Sequence, residues 1–436
     1  MDSYFETLDK IYRLRGGEID LRLDRMNQAL GLFEHPERKF PSFHIAGTNG
    51  KGSTAAILER ILTTAGYRTA LYTSPHLVSF TERIRIGDQE IPTQTVVELA
   101  EEIHRRTAET GIPLTFFEFI TVLAFIYFAR EQVQVAVIEV GLGGRLDATN
   151  LVTPIVCAIT TISKDHEAYL GTDVISIARE KGGIIKPGVP VVCGSLLPEV
   201  KNALKGIADD RSAPAYFLGS DFSFFLKKKD LFDYTGIKES YSNLALALRG
   251  RHQRANAAVA LAAIEIGSRS FPIREAALRV GLETVAWPGR FEIMAEGPTV
   301  ILDGAHNGEG VKALAESITE FAQGKKVKFL FASMTDKDWR QMLDTLAPLA
   351  RELFLTQVAM DRSADPRELA EYLGNRVPHR VIPDSHAALE ALLNNATTDD
   401  VLVIAGSLYL LGEVRPQVQA LNHSKKANRE SQNHFS

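Results

Sequence analysis

The chain reads as an α/β protein of two domains: a larger N-terminal one on a parallel-rich sheet, and a smaller, Rossmann-like C-terminal one. Three observations predict this. At 436 residues the chain exceeds what a single core ordinarily organises. Short β-branched runs alternate with helical stretches, the pattern of strands joined by crossover helices. Beyond Phe291 that alternation starts afresh.

Taken in order, residues 1–40 read as helices, with Leu21, Leu23, Met26, Leu30 and Leu32 at helical spacing. Phe43 to Ala46 is a short strand running into a glycine loop, and Ser53 to Ala65 is a helix stopped by Gly66. Thr69 to Thr73, Val133 to Val140, Ile155 to Ile162 and Val189 to Cys193 are further strands of the kind buried in parallel sheets. Helices are expected between most of them, at Thr93 to Thr110, Phe117 to Arg130 and Asp173 to Lys181. The second series runs Thr299 to Leu302 (strand), Gly308 to Phe321 (helix) and Val327 to Ala332 (strand). The strands Leu353 to Thr356, Val377 to Ile382 and Val401 to Ala405 continue it. The join falls near Trp287-Pro288-Gly289-Arg290, and the domains are expected at 1–296 and 297–436. The polar, basic tail from Asn422 is expected to fray. No internal repeat or low-complexity linker is visible.

A net charge of −5 argues against an electrostatic nucleic-acid binder. Two cysteines, Cys157 and Cys193, without a CxxC pair exclude a disulfide scaffold and fit a reducing compartment. The longest apolar run, Phe116 to Phe128, contains Glu118 and is short for a membrane span, and Met1 to Arg15 lacks a signal-peptide core. A cytoplasmic protein without membrane or nucleic-acid partners is expected, and a monomer, since no coiled-coil seam appears.

The chemistry begins at Gly47-Thr48-Asn49-Gly50-Lys51-Gly52-Ser53, between a strand and a helix. Such a loop aims backbone N–H groups at phosphate oxygens, and Lys51 can reach the β and γ phosphates. The strict P-loop pattern wants Gly at 45 and Ser or Thr at 52, where this chain has Ile45 and Gly52, so the loop is a variant. Alone it could be a structural turn.

Other segments accompany it in a fixed order: Thr73-Ser74-Pro75-His76-Leu77, then Glu139 to Asn150 (EVGLGGRLDATN), Asp165-His166 with Leu170-Gly171, and Arg179 to Lys186 (REKGGIIK). In the second half stand Pro288-Gly289-Arg290-Phe291-Glu292, Asp303-Gly304-Ala305-His306-Asn307 and Asp336-Lys337-Asp338. From Ile19 to about Gly412 the chain resembles the folate branch of the Mur ligase superfamily, the folylpolyglutamate and dihydrofolate synthases. The resemblance implies a P-loop ATPase domain followed by a glutamate-ligase domain. It also implies a two-step reaction: ATP phosphorylates a carboxylate of the pterin-bearing substrate, and the amine of L-glutamate displaces phosphate from the acyl phosphate. A carboxylate and a triphosphate repel one another, so metal ions and cationic groups must neutralise the transferred phosphoryl group.

What the resemblance implies for individual residues is specific. Thr48, Asn49, Gly50, Lys51, Gly52, Ser53, Asn256, Arg290, Asp303 and His306 fall on ATP contacts. Ser74 and Glu139 fall on the ligands of one Mg²⁺ and His166 on a second, with a monovalent cation as an additional candidate. Ser74 and Glu139 would then replace the hydroxyl missing at Gly52. Lys51, Glu139, His166 and Lys181 carry the catalysis, and Lys181 sits where the family often has a carbamylated lysine. The segments Ile19-Asp20-Leu21, Thr115-Phe116-Phe117-Glu118 and Leu146-Asp147-Ala148 fall on contacts to dihydropteroate or a reduced folate.

Each position has a plainer reading. Glu139, ending an apolar strand, could cap a helix or pair with a cation, since a buried carboxylate is costly unless partnered. Imidazole is an unusual Mg²⁺ ligand, so His166 taken alone is an ordinary histidine. Lys181 could merely favour a helix C-terminus, Arg290 could pin two domains by an ion pair, Asp20 could cap a helix, and Phe116 and Phe117 could be core residues. Three functions compete: a ligase of dihydropteroate and folates, or of folates only; a cell-wall Mur-type ligase, which wants a nucleotide domain larger than the 46 residues before Gly47; and a regulatory nucleotide-binding protein without ligase activity.

Overall fold

The strand Ser42–Ala46 (β1) is buried along its whole length and lies near the centre of an eight-stranded sheet in the order β4-β3-β2-β5-β1-β6-β7-β8. The computed structural model describes residues 3–14, 23–165, 170–171, 173–228, 230–323, 325 and 327–433. It divides into two units, residues 1–247 with 252–286, and residues 248–251 with 287–436.

In the first unit, Thr69–Tyr72 (β2), Val135–Glu139 (β5), Val156–Ile159 (β6), Val191–Cys193 (β7) and Ala215–Phe217 (β8) join β1 in a parallel array. Strands buried on both faces read as continuous apolar runs, which is why they were legible without alternation. Ile84–Ile86 (β3) and Gln89–Glu90 (β4) add an antiparallel edge. The chain moves from β1 to one side (β2 and β5), then returns past β1 to the other (β6, β7 and β8), so β1 stands at a topological switch point. Ligands bind beyond the carboxyl ends of strands at such points.

The helices packed on this sheet carry their own signals. Lys51–Thr64 is almost wholly buried and ends before Gly66. Phe116–Arg130 opens with a capping box in which Thr115 and Glu118 satisfy each other's backbone N–H groups. Val174–Gly182 is capped by the Asp173 side chain. A three-stranded antiparallel sheet, Ser223–Leu226 (β9), Phe232–Thr235 (β10) and Ser240–Leu244 (β11), belongs to this unit and had no counterpart in the sequence reading. Its strands are short and half-exposed, and lack a long apolar run.

The second unit is built on a six-stranded sheet. Glu292–Ala295 (β12) pairs antiparallel with Thr299–Leu302 (β13). Val401–Ala405 (β17), Val327–Phe331 (β14), Ala350–Leu355 (β15) and His379–Val381 (β16) follow in parallel, in the order β12-β13-β17-β14-β15-β16. The unit's continuous stretch starts at Trp287, ahead of β12, which has β13 as its hydrogen-bonding neighbour. The final helix runs Leu408–Asn433, so the tail past Asn422 continues a helix instead of fraying at once. Among the described residues, no helix is long and apolar enough to cross a membrane.

Candidate functional site

The loop after β1 is shaped by glycines at positive φ. Gly47 has φ +147°, and a Cβ there would lie 1.8 Å from Thr160 Oγ1. Gly50 has φ +86°, and a Cβ there would lie 2.3 Å from Asn256 Oδ1. Only glycine allows both turns and both approaches. Gly50 is the N-cap of the helix that starts at Lys51, so the positive end of that helix faces the loop. Thr48, Asn49, Gly52 and Ser53 stand on the same loop and first turn, and Asn256 touches it from the helix Arg251–Gly267.

Hydroxyl groups beyond β6 clamp this loop. Thr160 and Thr161 donate to Asn49 O at 2.7 and 3.2 Å, Thr48 N donates to Thr161 O at 2.7 Å, and Thr48 Oγ1 donates to Ser163 O at 3.1 Å. The sequence reading ran the strand on to Ile162 and so hid these residues. The strand ends at Ile159, and a Thr-Thr-x-Ser run placed beyond a strand end is the signal that would have found them.

Two lysines converge on one carbonyl. Lys51 Nζ donates to Gly47 O and Thr48 O, each at 3.1 Å, and Lys181 Nζ donates to Gly47 O at 3.0 Å. Burial, then the neighbouring Lys51 charge, pull the Lys181 amine down to about 7, against smaller opposing pulls from Asp165 and Asp147. The backbone around it is tightly fitted: a Cβ at Gly144 would meet the Glu180 and Lys181 carbonyls at 2.8 and 2.9 Å, and Arg145 N donates to Glu180 O at 2.8 Å.

Glu139 closes β5, is 4 % exposed, and accepts from Ser74 N at 3.1 Å. Residues 77–79 are folded around Glu82, whose carboxylate takes the N–H groups of Leu77, Val78 and Ser79 at 2.7, 2.9 and 2.7 Å. The Glu139 carboxylate beside the Ser74 segment is a hard-oxygen donor set of the kind Mg²⁺ prefers. Among the described residues, no group of three or more His, Cys, Asp or Glu side chains could hold a metal by itself. His166 lies outside the described residues, as do Ile19, Asp20 and Leu21.

The other two expected substrate segments, Thr115–Glu118 and Leu146–Ala148, lie beside one another, joined where Phe117 meets Gly141. Phe117 packs on Gly141, where a Cβ would lie 2.3 Å from the ring, and stands 6.2 Å from Tyr72. Phe116 lies 5.7 Å from Tyr12 and beneath the Arg83 guanidinium. Both phenylalanines are half-buried and pack against the hydrophobic core at its margin. Glu118 has partners within the chain. Its carboxylate is 4 % exposed and takes Arg25 Nε and Nη2 at 2.9–3.1 Å and Thr115 N and Oγ1 at 2.8 Å. With these four donors bound, the carboxylate caps the start of its helix and pairs with Arg25. Asp147 accepts from Leu142 N at 2.8 Å and from the N–H and hydroxyl of Thr149. Burial raises its carboxyl while these donors oppose the rise. Leu146 is half-buried and Ala148 buried beside it.

In the second unit, Asp303 follows β13. It accepts from Phe291 N at 2.8 Å and Ala305 N at 2.9 Å; burial raises it, and Arg290 pulls the other way. Arg290 Nη1 donates to Gly289 O at 3.0 Å, and His306 Nδ1 pairs with Gly304 O at 2.7 Å. Arg290, Asp303 and His306 thus form one cluster at the carboxyl end of β13.

These features define a phosphate-binding α/β protein of the P-loop type, with a carboxylate and two lysines gathered at the loop. The model of the Mur ligase middle domain matches residues 45–264, and that of the Mur ligase glutamate ligase domain matches residues 289–408. The dihydrofolate synthase/folylpolyglutamate synthase of Bacillus subtilis is 34% identical over 410 residues, covering 91% of this chain and 95% of its own length. The folylpolyglutamate synthase of Lacticaseibacillus casei is 34% identical over 433 residues, covering 95% and 98%. Among solved structures, Escherichia coli FolC in complex with DHPP and ADP superposes with a TM-score of 0.89 at 32% identity, covering 96% of this chain and 98% of that one. The Yersinia pestis bifunctional enzyme complexed with AMPPNP and Mn ion gives 0.87 at 33%, with the same coverage. The chain belongs to the Mur ligase family, in its folylpolyglutamate synthase/dihydrofolate synthase branch.

Proposed function

We propose that this chain joins L-glutamate to dihydropteroate and to reduced folates at the expense of ATP, in the cytoplasm and as a monomer. The observation that carries the reading is the convergence, at the carboxyl ends of β1, β5 and β6, of the Gly47–Ser53 loop, Glu139 and the Thr160–Ser163 clamp.

The triphosphate lies along the loop amides and the helix that starts at Lys51. Lys51 leaves the Gly47 and Thr48 carbonyls and turns to the β and γ phosphates. Glu139 and Ser74 would hold Mg²⁺ and His166 a second ion, and the metal would supply neutralisation of the phosphoryl charge. A carboxylate oxygen of the pterin-bearing substrate attacks the γ phosphorus and ADP departs, leaving an acyl phosphate. The glutamate amine then attacks the acyl carbon, the C–O bond to phosphate breaks, and the amide and inorganic phosphate remain. Asn256 lies against the ATP loop. Phe116 and Phe117 offer ring faces for a flat pterin. Lys181, with its amine drawn down to about 7, adds to CO₂ and loses a proton, becoming an anionic carbamate that serves the second ion or the substrate.

The test is phosphate release and product analysis with dihydropteroate or tetrahydrofolate, each with ATP and L-glutamate. Release that needs neither a folate nor glutamate would sink the ligase reading. Product from tetrahydrofolate alone would favour the second reading, folate chain extension only, which is the name the Lacticaseibacillus casei relative bears.

A further inference from the structure

A buried histidine outside the machinery described so far connects to it through two side chains. His44 lies on β1, three residues before Gly47, and is fully buried. Its Nε2 is 2.8 Å from Thr149 Oγ1, and the Thr149 hydroxyl donates to Asp147 Oδ1. Asp147 Oδ1 also takes the Thr149 N–H at 3.0 Å, and Oδ2 takes the Leu142 N–H at 2.8 Å. His44 Nδ1 is buried with no hydrogen-bond partner.

The proton positions follow from donor arithmetic. Thr149 Oγ1 donates to Asp147 Oδ1, and its single hydroxyl proton is used there. Thr149 Oγ1 must then accept, and His44 must carry its proton on Nε2. Nδ1 is left as a bare lone pair in the core. Leaving a polar nitrogen unsatisfied there is costly, so the histidine is not an ideal core filler at this site. What it gains is a directed N–H at the base of a chain that ends on the Leu142 amide, three residues beyond Glu139.

We infer that His44 is a positioning residue: through the Thr149 hydroxyl it orients Asp147, and through Asp147 it fixes the 141–149 segment that presents Leu146 and Ala148 to the pterin-bearing substrate. Because His44 sits on the strand that leads into the ATP loop, the chain also ties the placement of that segment to the strand carrying the loop. The inference rests on the reading that residues 146–148 meet the pterin end of the substrate.

The experiment compares Thr149→Val, Thr149→Ser, His44→Phe and Asp147→Ala in the full chain, with separate KM values for dihydropteroate, ATP and L-glutamate. Thr149→Val and His44→Phe are expected to raise the dihydropteroate KM by about tenfold, a 1.4 kcal/mol effect. The KM values for ATP and glutamate should stay within about twofold, and Thr149→Ser, which keeps the hydroxyl, should restore the dihydropteroate value. A purely structural role would lower the melting temperature without this selective change. If His44→Phe does not fold, the valine and serine pair at 149 decides. A folded Thr149→Val with an unchanged dihydropteroate KM, or Thr149→Ser as impaired as Thr149→Val, overturns the inference. Asp147→Ala separates the two levels. If it leaves the dihydropteroate KM unchanged, the substrate reading has failed; if it raises that KM while Thr149→Val does not, only the hydroxyl chain has failed.

Discussion

In Gly47→Ala the new Cβ would stand 1.8 Å from Thr160 Oγ1, 3.0 Å from Thr160 Cβ and 3.1 Å from the Thr160 backbone nitrogen, at φ +147°. The hydroxyl could swing away, but it would give up its bonds to Asn49 O at 2.7 Å and Ala46 O at 3.3 Å. Each such bond is worth about 1 kcal/mol net. The Cβ and backbone nitrogen cannot rotate aside, and an L side chain at this φ adds strain of about 1–3 kcal/mol. The sum is about 3–5 kcal/mol, and it falls on the phosphate loop itself. If the loop relaxes by leaving its native path, nucleotide binding absorbs the loss, and 3 kcal/mol corresponds to roughly a 150-fold weaker Kd. If it does not relax, global stability falls instead. Calorimetric titration with a non-hydrolysable ATP analogue, alongside urea unfolding, covers both routes. The double variant with Thr160→Ala should recover part of the loss, because it removes the nearest contact while the φ strain remains. Nucleotide affinity within about threefold of wild type together with an unchanged unfolding midpoint would refute the reasoning.

Four further outcomes are expected. Lys51→Ala should cut glutamate-dependent phosphate release by about 10²-fold or more while leaving the circular dichroism and melting curve near wild type, since Nζ bonds only to loop carbonyls; near-normal turnover would contradict the phosphate role. The neutral Lys181 amine is the form that captures CO₂, so bicarbonate-stimulated activity should rise as pH climbs through about 7 and fall below it. ¹³C-bicarbonate labelling should show a carbamate signal that Lys181→Gln lacks. Arg25→Leu leaves the Glu118 carboxylate, 4 % exposed, without its cation; a loss of about 2–3 kcal/mol in chemical unfolding is expected, at the lower edge of what breaking a buried pair costs because Arg25 is partly exposed. His44 has a folded pKa of about 3 against 6.5 for the free side chain, so the unfolded chain binds the extra proton between those values. Its contribution is complete above pH 6.5 and is lost as pH falls toward 3, by up to about 1.4 kcal/mol per pH unit. His44→Phe should flatten that slope in acid-unfolding curves.

The strands that were legible were those whose sequence is apolar on both faces. Burial inside a parallel array makes Val135–Glu139 and Val401–Ala405 continuous runs. The antiparallel sheet between Ser223 and Leu244 escaped, because its half-exposed strands owe their pairing to partners along the chain and to the helix Glu265 belongs to, which takes the Ile237 and Lys238 N–H groups at 2.8 and 3.2 Å. The glycine loop, Ser74, Glu139 and Lys181 were visible because their residue types sit in recognisable local order. Their convergence was not visible, since the sheet order that places β5 and β6 on either side of β1 is set by packing between distant segments.

By itself the sequence determined the alternation of elements and the glycine loop. Backbone propensity, hydrophobic period and motif order are local, and local order survives in one dimension. The tertiary structure decided what each side chain faces. It set Glu118 onto Arg25, set two lysines on one carbonyl and ran a hydrogen-bonded chain from His44 to Leu142. The physical reason is that burial and donor–acceptor pairing depend on which distant groups meet in space, and it is those meetings that move a lysine's proton affinity or saturate a carboxylate.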